Sequence, residues 1–248
     1  MTSLLSKPAA PVVSTAFSPF RLETGLCANL DTDDWPTRLF AINQGNLELA
    51  SDSTHYVYCY EGNLQVTLNG LYYTLQPGMY CMIPGGTTVF GNNGSGIAIS
   101  RIGYNGWFQI GGPVEDWGRL CYIDGCTDSL LLSPLKMGDP CLNALFFPYG
   151  TDQTMHTHPS MRVGMVIRGT GECVVPEGTI PLFPGQVFII HQDGEHKFRT
   201  PFEEGMVVIA YHPDSDFGPQ DENHPMLNRT IVDGTSAKHL DDIRTQSI

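Results

Sequence analysis

The sequence predicts an all-β chain built from two copies of one unit, and three observations carry that prediction. Few windows hold a helical period, while 27 Gly and 18 Pro punctuate the 248 residues into many short segments. Apolar and polar residues alternate, as in half-buried strands, from Leu47 onward. A strand–turn–strand pattern in the first half returns in the second at an offset of 107 residues. At roughly 150 residues per domain the length allows one large domain or two small ones, and the repeat selects two.

Residues 1–39 read as an N-terminal arm. Met1 to Phe20 carry Lys7, Pro8, Pro11 and Pro19 but no continuous apolar core, so neither a signal peptide nor a membrane span is expected there. The segment reads as a flexible or strand-exchanging piece. The first unit is placed at 40–105. Within it Leu64, Val66 and Leu68 share a face, and Asn69-Gly70 fits a two-residue hairpin turn. Gly62 is followed sixteen residues later by Gly78, whose Pro77-Gly78 turn feeds the apolar run Met79 to Ile83. The second unit, 143–213, repeats the frame: Gly169, then Gly185 sixteen residues on, with Pro184-Gly185 feeding Val187 to Ile190. Between the units, 106–142 is rich in Gly, Pro and Asp and reads as a structured connection. The tail, 214–248, holds only one stretch able to make a short helix, around Lys238 to Arg244.

Thirteen Lys plus Arg against 26 Asp plus Glu give a formal net charge of -13. Such a chain repels nucleic acid and anionic membranes, so neither is an expected partner. With 41% hydrophobic and 16% charged residues it is a folded protein, not a disordered acidic one. The seven Cys (Cys27, Cys59, Cys81, Cys121, Cys126, Cys141 and Cys173) are odd in number and contain no CxxC pair. They point to a reducing, cytoplasmic location rather than a disulfide framework or a Cys zinc site.

The strongest chemical signal is His156-Thr157-His158. Residues two apart on a strand project to one face and can share a metal ion. His196 follows the second Pro-Gly strand as a third candidate ligand. Neutral imidazoles suit iron, zinc, manganese, nickel or copper, and three of them leave coordination positions open. The alternative is a pair of solvated histidines on a loop before Pro159.

His156, His158, Gly169, Pro184-Gly185 and His196 together resemble the two motifs of the cupin superfamily. The first motif is HxH, a Glu about four residues on, and a glycine seven later. The second is a Pro-Gly strand leading to a third His. The resemblance spans about 40–213 and implies a bicupin: two double-stranded β-helix, or jelly-roll, barrels in one chain. It also implies a three-His metal site in the second barrel. Arg162 stands where the family has its glutamate ligand, and a guanidinium cannot donate a lone pair to a cation. Even spacing from His158 keeps Arg162 on the inward face if the strand runs on without a bulge. Beside a dication it reads as the group that holds a substrate carboxylate; the alternative is an internal acid partner, Glu172 or Asp152.

Subtracting 107 sets Leu49, Ser51 and Val89 opposite His156, His158 and His196, and His55 opposite Arg162. The first barrel therefore has no such ligand set. His191, where the family often has proline, is a second candidate catalytic residue as an acid or base, or else a turn histidine with a local hydrogen bond. Tyr149, Asp152 and Gln153 are candidates for the pocket entrance, and Phe147, Met165 and Phe198 for packing. His212 and His224, among Asp214, Asp216, Asp221 and Glu222, read as part of a solvated acidic loop.

These readings converge on a non-haem Fe(II) dioxygenase acting on a small anionic, carboxylate-bearing metabolite. Zn, Mn, Ni or Cu remain alternatives to iron. The competing functions are a redox-neutral isomerase, epimerase or lyase using the same metal, and a small-ligand-binding cupin without catalysis. Exposed barrel edges and the Pro-rich arm point to a homodimer.

Overall fold

The structure is a computed structural model that describes residues 12–214, 231–232 and 235–236. The helix expected near Lys238 to Arg244 and the tail residues His224, Asp216, Asp221 and Glu222 lie outside the described residues. Among those described, the one helical element is a 3-10 turn at Ile123–Gly125, and no helix is long and apolar enough to cross a membrane.

The first barrel is built from β2 to β9, which follow a short strand β1 (Phe17–Phe20). These are β2 (Gly25–Leu30), β3 (Thr37–Leu49), β4 (Ser53–Glu61), β5 (Leu64–Leu68), β6 (Leu71–Leu75), β7 (Tyr80–Pro84), β8 (Thr87–Ile102) and β9 (Gln109–Gly111). The strand order is β2-β3-β8-β4-β7-β9, with β5 bridging β8 and β6. β3 and β8 are long enough to serve two sides of the barrel. Their pairing breaks between Asn43–Ser95 and Gly45–Gly91, where Gln44, Gly45 and Asn93 take positive φ. The Asn69-Gly70 turn, positive in φ at both residues, closes β5 onto β6 as the sequence requires.

The second barrel uses β10 (Leu120–Cys121), β11 (Thr127–Leu132), β12 (Cys141–Phe147), β13 (His156–Thr157), β14 (Arg162–Gly169), β15 (Gly171–Val175), β16 (Gly178–Leu182), β17 (Val187–Ile190), β18 (Lys197–Arg199) and β19 (Met206–His212). Its larger sheet runs β1-β17-β14-β19-β12-β11-β10, facing β16-β15-β18. The tail strands β20 (Ile231–Val232) and β21 (Thr235–Ser236) extend β13, with Val232 opposite His156. The arm of the sequence reading thus supplies β1 to the second barrel and β2 to the first, and the connection supplies β9, β10 and β11.

The internal repeat is a register identity. Leu64 pairs Leu75 as Gly171 pairs Leu182, and His55 pairs Ile83 as Arg162 pairs Ile190. Beyond β17 the offset grows. Leu49 pairs Thr87 where His156 pairs His196. The structural counterpart of His196 is therefore Thr87, not Val89, because the loop after β17 is two residues longer than the one after β7.

Three cores hold the molecule. Val57, Cys59, Val66, Cys81 and Val89 fill the first barrel. Phe17, Phe147, Cys173, Phe188 and Phe198 fill the second. Between the barrels, Tyr56, Met82, Ile97 and Ile99 pack on Met165, Val187, Ile209 and Tyr211. Alternate residues of β14, β17 and β19 point to the second and third cores in turn, so these strands are buried on both faces and read as continuous apolar runs. Tyr56 and Tyr211 meet across this layer, ring centroids 5.1 Å apart, and the Tyr56 hydroxyl donates to Pro140 O at 3.2 Å.

Candidate metal centre

His156 and His158 flank the outward-turned Thr157 at the mouth of the second barrel, and β18 brings His196 against them. His156 and His196 exchange both backbone hydrogen bonds, each at 3.0 Å. The three ring centroids stand 4.5 to 5.3 Å apart, and one nitrogen from each ring lies within 4.8 Å of the others. All three side chains are buried. They are the sole such cluster of His, Cys, Asp or Glu among the described residues.

Backbone carbonyls set two of the rings. His156 Nδ1 donates to Thr154 O and His196 Nδ1 to Gly194 O, each at 2.8 Å, so the lone pair of each neutral ring sits on Nε2. His196 Nε2 and His158 Nδ1 are buried with no partner. Burial, reinforced for His158 by the Arg162 charge and for His196 by His156, holds both well below the ordinary imidazole value; burial also lowers His156. Three neutral rings with orphaned buried nitrogens fit a borderline divalent cation, since protonated rings could not ligate one.

Arg162 opens β14 at the rim of the same pocket and is 5% exposed. Its inward aim comes from register against Ile190 and not from a continuous strand, because the chain turns at Pro159–Ser160 between β13 and β14. Nη1 donates to Ser160 O at 3.2 Å, to Met161 O at 3.1 Å, to Ser160 Oγ, and to Asp214 Oδ1 at 3.3 Å. Ser160 Oγ also donates to Asp214 Oδ1, at 2.7 Å. Nε is buried without a partner. Neither acid weighed in the sequence faces Arg162: Glu172 pairs with Arg199 and Asp152 with Lys197. The internal acid is Asp214, which follows the last strand of the barrel.

His191 is not brought to the pocket. Its position just past β17 turns it toward β1, where its Nε2 meets Ser18 Oγ at 2.8 Å and its backbone N–H donates to Ala16 O. Of the entrance candidates, Gln153 lines the pocket, while Tyr149 is exposed and Asp152 is held by Lys197. Gln153 fastens the ligand strand: its Oε1 accepts from Phe198 N and its own N–H donates to Phe198 O. Phe147 and Phe198 pack as expected and also wall the pocket; Met165 packs between the barrels. Sequence reasoning missed His212 as a pocket residue, having read it as part of the tail. Its signal was there, since it continues the alternation Met206, Val208, Ala210.

In the first barrel Leu49, Ser51 and Thr87 occupy the three histidine positions. His55, at the Arg162 position, is wholly buried, with Nδ1 at 2.7 Å from Ser100 Oγ and Nε2 at 3.0 Å from Ala50 O. Both ring nitrogens are used, so this histidine is structural.

Residues 145–212 match the Cupin domain family. No curated protein matches the sequence. Solved structures with the same fold include the salicylate 1,2-dioxygenase of Pseudoaminobacter salicylatoxidans in its adducts with gentisate, at 11% identity and TM-score 0.61, covering 92% of this chain and 88% of that one. A putative glyoxylate induced protein from Pseudomonas aeruginosa aligns at 15% identity and TM-score 0.56, covering 87% and 93%. A Cupin 2 conserved barrel domain protein from Leptotrichia buccalis aligns at 15% identity and TM-score 0.54, covering 82% and 91%. Such identities carry the fold alone.

Proposed function

We propose that this chain, which has the two-barrel cupin fold and a three-His pocket in its second barrel, is a metal-dependent enzyme, a non-haem Fe(II) dioxygenase for a small carboxylate-bearing metabolite. The observation that carries this reading is a buried arginine in the pocket of three neutral histidines, at the position where a fourth, carboxylate ligand would otherwise stand. An Fe(II) ion held by the three imidazoles would supply Lewis acidity and dioxygen chemistry, with open positions and an undiminished positive charge.

The chain's own residues do the rest. Arg162 offers a fixed cation, already aimed inward by its bonds to Ser160 O and Met161 O, for which a substrate carboxylate competes with Asp214. The carbonyls of Thr154 and Gly194 hold the His156 and His196 rings, and Gln153 fastens the strand that follows His196. The apolar wall of Leu145, Phe147, Val163, Phe188 and Val208 excludes water. The gentisate adducts of the Pseudoaminobacter enzyme support a small carboxylate as the ligand class.

Dioxygen uptake by the Fe(II)-loaded protein, screened over small acids, is the test. Uptake is expected in the wild type and lost in His196→Ala and Arg162→Ala; uptake that survives Arg162→Ala removes the clamp. Turnover without dioxygen, equal with zinc or manganese, favours the redox-neutral reading, and stoichiometric ligand retention without product favours the binder. We also place the protein in the cytoplasm as a homodimer, using the open sheet edges at β2 and β9; a monomeric sedimentation profile would remove the dimer.

A further inference from the structure

The pocket under the three histidines has an aromatic floor, and the floor is high. Arg162, Gly164 and Val166 face the lumen in successive layers of β14, and Gly164 lies directly opposite Phe188. A Cβ on Gly164 would fall 2.2 Å from Phe188 Cζ, so the missing side chain is what lets this ring lie across the barrel one layer below Arg162. The first barrel has Val57 and Cys81 at these two positions, an ordinary aliphatic layer.

Neighbouring rings fix Phe188 where it lies. Phe17, from the N-terminal strand β1, stacks on it at 5.0 Å and 25°. Phe198 stands 5.9 Å away on the other side, with Phe147 5.3 Å beyond and His196 itself 5.6 Å from Phe198. The floor is thus continuous with a candidate metal ligand. The space between the pocket walls, open to solvent at the mouth, totals about 420 Å³, and its cavity volume is only about 30 Å³. A cavity of about 150 Å³ holds a benzene ring.

We infer that the substrate is a short, ring-free aliphatic acid, and that the Gly164–Phe188 layer, propped by Phe17, is the specificity-determining element that rejects aromatic acids. This rests on the proposed carboxylate site at Arg162 and narrows it. It also separates this chain from the salicylate dioxygenase whose fold it shares.

The test is calorimetric binding to the zinc-loaded full chain, with pyruvate and salicylate as probes, in the wild type and in Phe188→Leu, Phe17→Leu and Arg162→Met. The wild type is expected to bind pyruvate, in an Arg162-dependent way, and not salicylate. Phe188→Leu is expected to gain salicylate affinity by about tenfold or more, the scale on which pocket volume discriminates. Phe17→Leu removes only the prop and gives a smaller gain in the same direction, which keeps the question answerable if Phe188→Leu folds poorly. Salicylate binding to the wild type as tightly as pyruvate, with both lost in Arg162→Met, overturns the size rule and leaves the carboxylate site standing. Failure of both acids to bind the wild type and both Phe variants overturns the carboxylate site and this inference with it.

Discussion

Arg162 and His55 hold the same place in the two barrels, each paired with an isoleucine, Ile190 or Ile83. One is a cation whose buried Nε has no partner; the other is a histidine with both nitrogens satisfied. The same position keeps a buried donor without a partner in one barrel and is closed by hydrogen bonds in the other.

Substitutions at Arg162 and Asp214 should change carboxylate binding in opposite senses. Arg162→Met is expected to weaken carboxylate binding by about 2–5 kcal/mol, the range for truncating one partner of a buried charged pair. Asp214→Asn removes the internal competitor and should tighten it several-fold, as about 1 kcal/mol would. Titration calorimetry with pyruvate reads both, and tightening in Arg162→Met would contradict the assignment.

A metal at the three histidines should stabilise the fold. At a free concentration of about 100 times Kd the gain is about 2.7 kcal/mol, or a Tm rise of roughly 5–10 °C for a chain of this size. Thermal unfolding with and without a chelator measures it. The rise should vanish in His196→Ala and persist in His191→Ala, since His191 faces Ser18.

Stability should fall as pH drops below the ordinary imidazole value of about 6.5. Burial lowers His55, opposed by the carbonyls of Ala50 and Gly85 and the charge of Asp52, with Ser100 Oγ on its other nitrogen. The unfolded chain therefore takes up a proton that the folded chain refuses. The contribution is present above about pH 6.5 and is lost as the pH falls below it. Urea midpoints at about pH 7.5 and about pH 5.5 should differ less in His55→Gln than in the wild type.

Gly169→Ala should cost about 2 kcal/mol or more, because its φ of +66° is joined to a Cβ 1.8 Å from Gly205 O. Gly125→Ala, at +79° with nothing within 4 Å, should cost only about 1 kcal/mol. Equal losses in urea denaturation would show that backbone conformation alone decides both.

The three histidines could be read from the sequence because strand spacing fixes what HxH can do, and the duplication because β4 to β7 and β14 to β17 differ by no insertion. The reading failed where distance along the chain hides distance in space. Two extra residues after β17 moved the partner of Leu49 from Val89 to Thr87. His191 looked poised for chemistry, but it lies one step past the strand end and turns to a segment more than 170 residues away. Asp214 reached Arg162 from the far end of the barrel, and Phe17 crossed from the arm into the second lumen, contacts that no local pattern announces.

The layer between the barrels ties the histories of the two halves together. Tyr56, Met82 and Ile99 of the first barrel are interior residues only because Tyr211, Val187 and Met165 of the second lie over them. A change of shape on one side must be answered on the other, and a gene encoding either half alone would leave that apolar sheet face open to water and to aggregation. The barrel without the three histidines is therefore held to its form by the barrel that carries them.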